Sequence, residues 1–182
     1  MSDPRYPPWI RRLHWTIFVM VACALLLIYA RGWTPRGSAL HASVEWAHMQ
    51  FGIAILLLML PRLLVRTRHG SAPPILPPTP RWQVQVANLV HVILYLLLFA
   101  TPILGITMMV SKGHAWNFLG IPMPHVAHPD RAFAHDLEEI HGTVGNVLMY
   151  LAGAHALIGL YHHFVQRDNT LKRMLPAHND RT

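Results

Sequence analysis

The chain has 182 residues, 53% of them apolar and only 13% charged, which excludes a disordered chain and exceeds the apolar share of most soluble domains. Its formal charge of +7 sets 15 Lys and Arg against 8 Asp and Glu, with 14 histidines counted as neutral. The lone cysteine, Cys23, excludes an internal disulfide and leaves the redox compartment unreadable.

The first predicted element is an apolar helix over about 9–31, whose uncharged part, 13–30, approaches the roughly 20 residues that a membrane crossing needs. Arg11 and Arg12 precede it as they would in a signal peptide. The run is long and no cleavage site is persuasive, so it is read as a retained helix. His14 opens it, and Cys23 at its middle reads as a small buried hydrophobe. The second helix is expected over about 44–65. Its uncharged part, 46–61, is short, and Arg62 is expected to snorkel its guanidinium toward water. His48 and Gly52 lie near its start.

The stretch from Pro73 to Pro80 cannot continue a helix and lacks donors for a sheet, so 69–81 reads as an extended link between two hairpins. Each hairpin is too small to fold alone, which makes 1–182 one four-helix domain, all-α and membrane-spanning. The third helix is expected over about 82–110, with His91 in its first half and a bend at Pro102. A long loop, 111–138, carries His114, His125, His128 and His135 without a regular zinc-ligand spacing and is expected to form a folded cap. The fourth helix, about 139–166, carries His141, His155, His162 and His163.

Of the 15 basic residues, 11 fall on the side of the membrane that carries both termini and the Pro-rich link, so that side is expected to be cytoplasmic. Only Arg31, Arg36, Lys112 and Arg131 fall on the other, periplasmic side, beside Glu45, Asp130, Asp136, Glu138 and Glu139. The positive charge therefore reflects topology and anionic lipid; it calls for no nucleic-acid partner. Nothing in the chain resembles a nucleophilic triad, a phosphate loop or a nucleotide fingerprint.

Histidines at membrane depth are costly unless they face partners or a cofactor, and their depths here match in pairs. With the helices crossing alternately, His14 and His155 fall in the cytoplasmic half, and His48 and His141 toward the periplasm. His141 and His155 are 14 residues apart, which returns them to within about 40° of one helix face with a rise of about 21 Å. One helix can thus serve two stacked sites. Haem iron takes two axial imidazoles, and six-coordinate iron favours electron transfer over ligand binding. Gly52, Gly145 and Gly159 each follow one of these histidines at i+4, a placement that suits either a flat macrocycle or close helix packing. His91 lies at a depth comparable with His14 and His155, so depth alone leaves it open as an inner ligand. His162, seven residues beyond His155 and within about 20° of its face, is placed either to protonate a quinone or to sit solvated at the interface. His163 points elsewhere.

Taken together, several features resemble the bacterial cytochrome b561 family, particularly its superoxide oxidase branch. They are His14-Trp15, His48 with Gly52, Pro73-Pro74-Ile75, and His91 followed by Leu94-Tyr95-Leu96-Leu97. Further along come Pro102, Gly105, Met108-Met109, His141, His155, His162-His163 and Asp168-Asn169-Thr170-Leu171. The resemblance covers nearly the whole chain. It implies two haem b groups, the inner on His14 and His155, the outer on His48 and His141, with His91 not a ligand. It also implies superoxide as periplasmic electron donor, ubiquinone as acceptor near His162, and residence in the bacterial inner membrane. The alternative is a haem-bearing anchor subunit that takes electrons from a docked dehydrogenase or hydrogenase partner.

Overall fold

The computed structural model describes residues 5–68 and 72–176 and contains four long apolar helices. Helix α1 spans Pro8–Arg31, α2 Ala39–Arg68, α3 Arg81–Ser111 and α4 Arg131–Tyr161. The shortest, α1, has 24 residues and is therefore about 36 Å long, enough to cross the ~30 Å hydrocarbon layer. The chain is a multi-pass membrane protein built as a four-helix bundle. Proline stands in the first turn of α1, where a missing N–H is tolerated.

Two helices begin earlier than their apolar runs. Helix α2 starts at Ala39, with Ser38 Oγ accepting from the His41 N–H, and α4 starts at Arg131, with the Asp130 side chain accepting from the Phe133 N–H. The periodicity of apolar residues marks where lipid or core begins, whereas a capped helix can continue into water. Pro61 lies inside α2 and Pro102 inside α3. Lacking an N–H, Pro102 leaves the Leu98 carbonyl without its helical donor.

The helices pair as two hairpins, α1 on α2 and α3 on α4, joined by contact between α2 and α3. Ile17, Ala24, Ile55 and Met59 form the buried core, flanked by Phe51, Tyr95 and Phe99. Phe18, Leu26, Leu57, Leu60, Leu96 and Leu157 are exposed, as an outer face turned toward lipid requires. Among the described residues, α1 and α2 make little backbone contact with α4, so the bundle is loosest where its histidines point.

The loop between α3 and α4 contains a two-stranded ribbon, β1 (Asn117–Phe118) against β2 (Ile121–Pro122), an addition to the all-helical expectation. Leu119 and Gly120 both take positive φ (49° and 85°), the conformation of a two-residue hairpin turn. Gln50 of α2 clamps this ribbon, donating to the Asn117 carbonyl at 2.9 Å and accepting from the Leu119 N–H at 2.8 Å. Trp116 is buried beneath it and donates to the Pro124 carbonyl.

The opposite end, called here the terminal end, is closed by residues 168–175. The Asn169 N–H donates to the Leu76 carbonyl at 3.0 Å, and the Leu76 N–H donates to Asn169 Oδ1 at 2.9 Å. Arg173 donates to the Pro73 carbonyl, Trp15 to the Met174 carbonyl, and Arg11 to the Leu175 carbonyl. The tail thereby ties the start of α1 to the part of the Pro-rich link that is described; positions 69–71 of that link lie outside the described residues.

Candidate functional site

The histidines of the four helices meet in two groups. His14 of α1 and His155 of α4 face each other with ring centres 6.4 Å apart and planes at 86°. His48 of α2 and His141 of α4 do the same at 6.2 Å and 88°. A metal–imidazole bond is about 2.0 Å and the ring centre lies about 1.1 Å beyond the nitrogen, so two collinear imidazoles on one ion put their centres about 6.2 Å apart. Both pairs have that span.

His91 also reaches this region, with its ring centre 5.1 Å from that of His155, closer than two collinear ligands can stand. Its Nδ1 lies 2.6 Å from the Ala87 carbonyl of its own helix. His91 is therefore a neighbour of the terminal-end group with a different geometry.

The loop-end pair is oriented by backbone. His48 Nδ1 lies 2.8 Å from the Ala24 carbonyl, and His141 Nδ1 lies 2.9 Å from the Thr101 carbonyl. A carbonyl only accepts, so each ring carries its proton on Nδ1 and turns the lone pair of Nε2 away from it. Thr101 immediately precedes Pro102, where the α3 ladder is already interrupted. Gly105, one turn further, lies against the Nδ1–Cε1 edge of the same ring, since a Cβ there would come 3.0 Å from His141 Cε1 and 3.3 Å from its Nδ1. Helix α3 thus seats this imidazole from two positions.

At the terminal-end pair the neighbour is a cation. Arg62 does not snorkel to water: its Nη2 donates to His14 Nδ1 at 2.9 Å and its Nε donates to Tyr95 Oη at 3.2 Å, with the guanidinium over the Tyr95 ring. A side chain long enough to reach the interface is long enough to turn inward, and here a phenol and an imidazole supply the acceptors that lipid lacks.

Space accompanies the rings. A cavity of ≈ 950 Å³ opens beside His48, Gly105 and His141, and a second of ≈ 170 Å³ adjoins it along Ala24, Gly52 and Gly145. A Cβ added at Gly52, Gly145 or Gly159 would meet no atom within 4 Å, so these glycines border open volume and not a packed neighbouring helix. A flat group that fills the gap between α4 and the α1–α2 hairpin fits this arrangement.

His162 stands beyond His155 at the start of a π turn, His162–Gln166, that ends α4. Its Nδ1 lies 2.6 Å from Asp168 Oδ2. His163 packs against Phe164, its Nδ1 shielded without a partner. His114, His125, His128 and His135 are exposed in or near the loop. Lys112 pairs with Glu138 at 2.9 Å and Arg31 with Glu45, which offsets much of the positive charge at that end.

Arg62, Tyr95, Gly105 and Asp168 had no assigned site role from sequence alone. A solitary arginine between apolar runs was the available signal for the first. A glycine three residues after an intrahelical proline was the signal for Gly105.

Four spans carrying opposed histidines at two levels define a membrane cytochrome, a protein that moves electrons within the bilayer. The chain belongs to the prokaryotic cytochrome b561 family, whose profile it matches over residues 5–177. It is 38% identical to cytochrome b561 homolog 1 of Escherichia coli over 164 residues, covering 90% of this chain and 93% of that one. It is 37% identical to the probable superoxide oxidase CybB of Yersinia pestis, over 90% of this chain and 92% of the relative. Cytochrome b561 homolog 2 of Escherichia coli is 28% identical over 96% of this chain and 93% of its own length. Membership carries haem b, membrane electron transport and oxidoreductase chemistry with it.

Proposed function

We propose that the chain is a dihaem carrier that takes electrons from superoxide at the periplasmic face and delivers them to ubiquinone in the inner membrane. In this reading His14 and His155 hold the inner haem iron, with the Arg62 bond to His14 Nδ1 given up so that the ring proton moves to Nδ1 and frees Nε2 for the metal, and His48 and His141 hold the outer one. The observation that carries it is the span of the two ring pairs, 6.4 and 6.2 Å, together with the open volume beside their glycines. When bound, the haems supply one-electron redox chemistry at each level. The chain's residues do the rest: the Ala24 and Thr101 carbonyls orient the outer imidazoles, and α4 joins the two levels through a single rigid element.

The balance is two superoxide radicals, each losing one electron to become dioxygen, and one ubiquinone gaining two electrons and two protons to become ubiquinol. Superoxide is supported as donor by the name of the Yersinia relative. The positive-inside surplus at the terminal end supports cytoplasmic termini, so that electrons enter at the loop end and His162 serves the quinone.

Stopped-flow mixing of the purified, oxidised protein with superoxide, followed at the haem bands with and without ubiquinone, tests this directly. Haem reduction that ubiquinone then reverses is expected. Haems that stay oxidised would overturn superoxide as donor and point to a docked redox partner. Haem content of His48→Ala tests the outer ligand: loss of one haem of two is expected, and full retention sinks the assignment.

A further inference from the structure

The end of α4 is built differently from the ends of α1 and α3, which close on right-handed caps at Gly32 and Lys112. His162–Gln166 is a π turn, a form that in single turns often marks functional sites, and Arg167 after it takes the left-handed conformation with φ 56°. Non-glycine residues adopt that conformation uncommonly. The reversal folds the chain back so that the Asp168 N–H donates to the His162 carbonyl at 3.2 Å and the Asp168 side chain meets the His162 ring at 2.6 Å.

That carboxylate is only 3% exposed, and both its oxygens are engaged, Oδ2 by His162 and Oδ1 by the Thr170 N–H at 2.8 Å. Burial alone pushes the acid up, yet the His162 and Thr170 hydrogen bonds outweigh it and hold the carboxyl below its ordinary range. Asp168 cannot drift, because the next residue, Asn169, is bonded to Leu76 at both its N–H and its side chain. Meanwhile Tyr161, Phe164 and Val165, the neighbours of His162, are exposed apolar side chains, a surface that suits a membrane-dissolved quinone.

We propose that Asp168 is a positioning residue that fixes the His162 imidazole with a proton on Nδ1, so that Nε2 hands protons to ubiquinone as it is reduced. The proposal rests on the ubiquinone reading of His162. The geometry is that of a carboxylate backing a general acid: Nδ1 is committed to the carboxylate, and Nε2 is the nitrogen left for substrate. As ubiquinone takes two electrons from the adjoining carrier, His162 breaks its Nε2–H bond and a quinone O–H bond forms. Neutral imidazole remains, with Nδ1–H still on Asp168. Water at the terminal end restores the proton before the second transfer. Two electrons and two protons thus complete one ubiquinol.

The test starts from holoprotein with both haems chemically reduced, so no assumption about the donor enters. Mixing with ubiquinone-1 in a stopped flow gives the rate of haem reoxidation and its saturation constant. Asp168→Asn is nearly isosteric, but its single amide oxygen can keep only the Thr170 bond, leaving an NH2 that donates where His162 Nδ1 needs an acceptor. It is expected to slow the saturated rate about tenfold or more while the saturation constant and the haem spectra hold. Asp168→Glu, which keeps the charge, should recover most of the rate. Wild-type rates in Asp168→Asn, or equal slowing in both variants, overturn the proposal. Wild-type protein that ubiquinone fails to reoxidise overturns the ubiquinone reading and this one with it. Independently of any Asp168 variant, ¹⁵N-histidine spectra of the wild type should show a hydrogen-bonded Nδ1 proton that disappears in His162→Gln. A His162 ring protonated on Nε2 alone also overturns the assignment.

Discussion

Replacing Arg62 by glutamine removes a fixed positive charge from beside one histidine pair and leaves the other pair untouched. The guanidinium lies 2.9 Å from His14 Nδ1, and in the proposed dihaem arrangement an iron held by that imidazole would be about 7 Å from the charge centre. At an effective dielectric constant of about 20–40, a unit charge at that distance contributes about 1–2.5 kcal/mol, which for a one-electron couple is about 50–100 mV. A cation favours the reduced state, so Arg62→Gln should lower the potential of the inner haem by that amount. The outer pair has the opposite surroundings, since His48 and His141 both face carbonyl oxygens that make the imidazoles stronger donors and favour the oxidised state. The wild-type inner haem is therefore expected to have the higher potential, making transfer from loop end to terminal end downhill. Potentiometric titration of both proteins, followed optically, measures the two midpoints. An inner midpoint that stays put or rises in Arg62→Gln, or a drop confined to the outer haem, refutes the reasoning. Arg62→Lys keeps the charge and should hold most of the potential.

His91→Ala should retain the full haem content of the wild type, because the His91 ring sits at 5.1 Å from His155 and bonds its own helix; haem quantified against protein would expose a lost group. Gly105→Ala should disturb the outer haem alone, since the new methyl falls 3.0 Å from His141 Cε1 and the ring must move by a few tenths of an ångström; a shift in that haem's midpoint or electron paramagnetic resonance signal is the readout, and an unchanged spectrum argues against the seating role. The tail closure should fail in acid. The Asp168 carboxyl is held below its ordinary value in the folded protein, so its contribution is fully present above about pH 4, the unfolded value, and is lost as pH falls through the lower folded one. Protection factors at Asn169 to Leu175, taken relative to the intrinsic exchange rate at each pH, should fall below about pH 4 and stay level from pH 5 to 8; a fall already at pH 6 would place the lock elsewhere.

Four crossings were legible because hydrocarbon tolerates so few charges that each span announces itself, and the two levels of histidine followed from counting residues along alternately directed helices. The helix ends were less legible: Ser38 and Asp130 stabilise turns that lie outside the apolar zone, where hydropathy carries no signal. The β1–β2 ribbon rests on two residues per strand and on the Gln50 clamp, a contact 67 residues apart in sequence that no local pattern encodes. Arg62 was misread because the depth of a residue does not say which way a long side chain turns. The choice depended on Tyr95, 33 positions away. His91 stayed ambiguous for a related reason. Depth places a ring along the membrane normal but not around the helix axis, and only packing showed it leaning on His155 at an angle of 77°.

Helix α4 alone contributes to both histidine pairs, and this has a consequence for how the sequence can vary. The separation between the two sites is set by the covalent chain from His141 to His155, as marks on a ruler are, and neighbouring helices can slide slightly without changing it. Insertion of one residue between those marks would rotate one ring by about 100° and lift it about 1.5 Å, so both sites could not be occupied at once. The ribbon loop, which sets no such interval, is free to lengthen. Drift in length among such chains should therefore gather in the connections, while the 14-residue interval stays fixed.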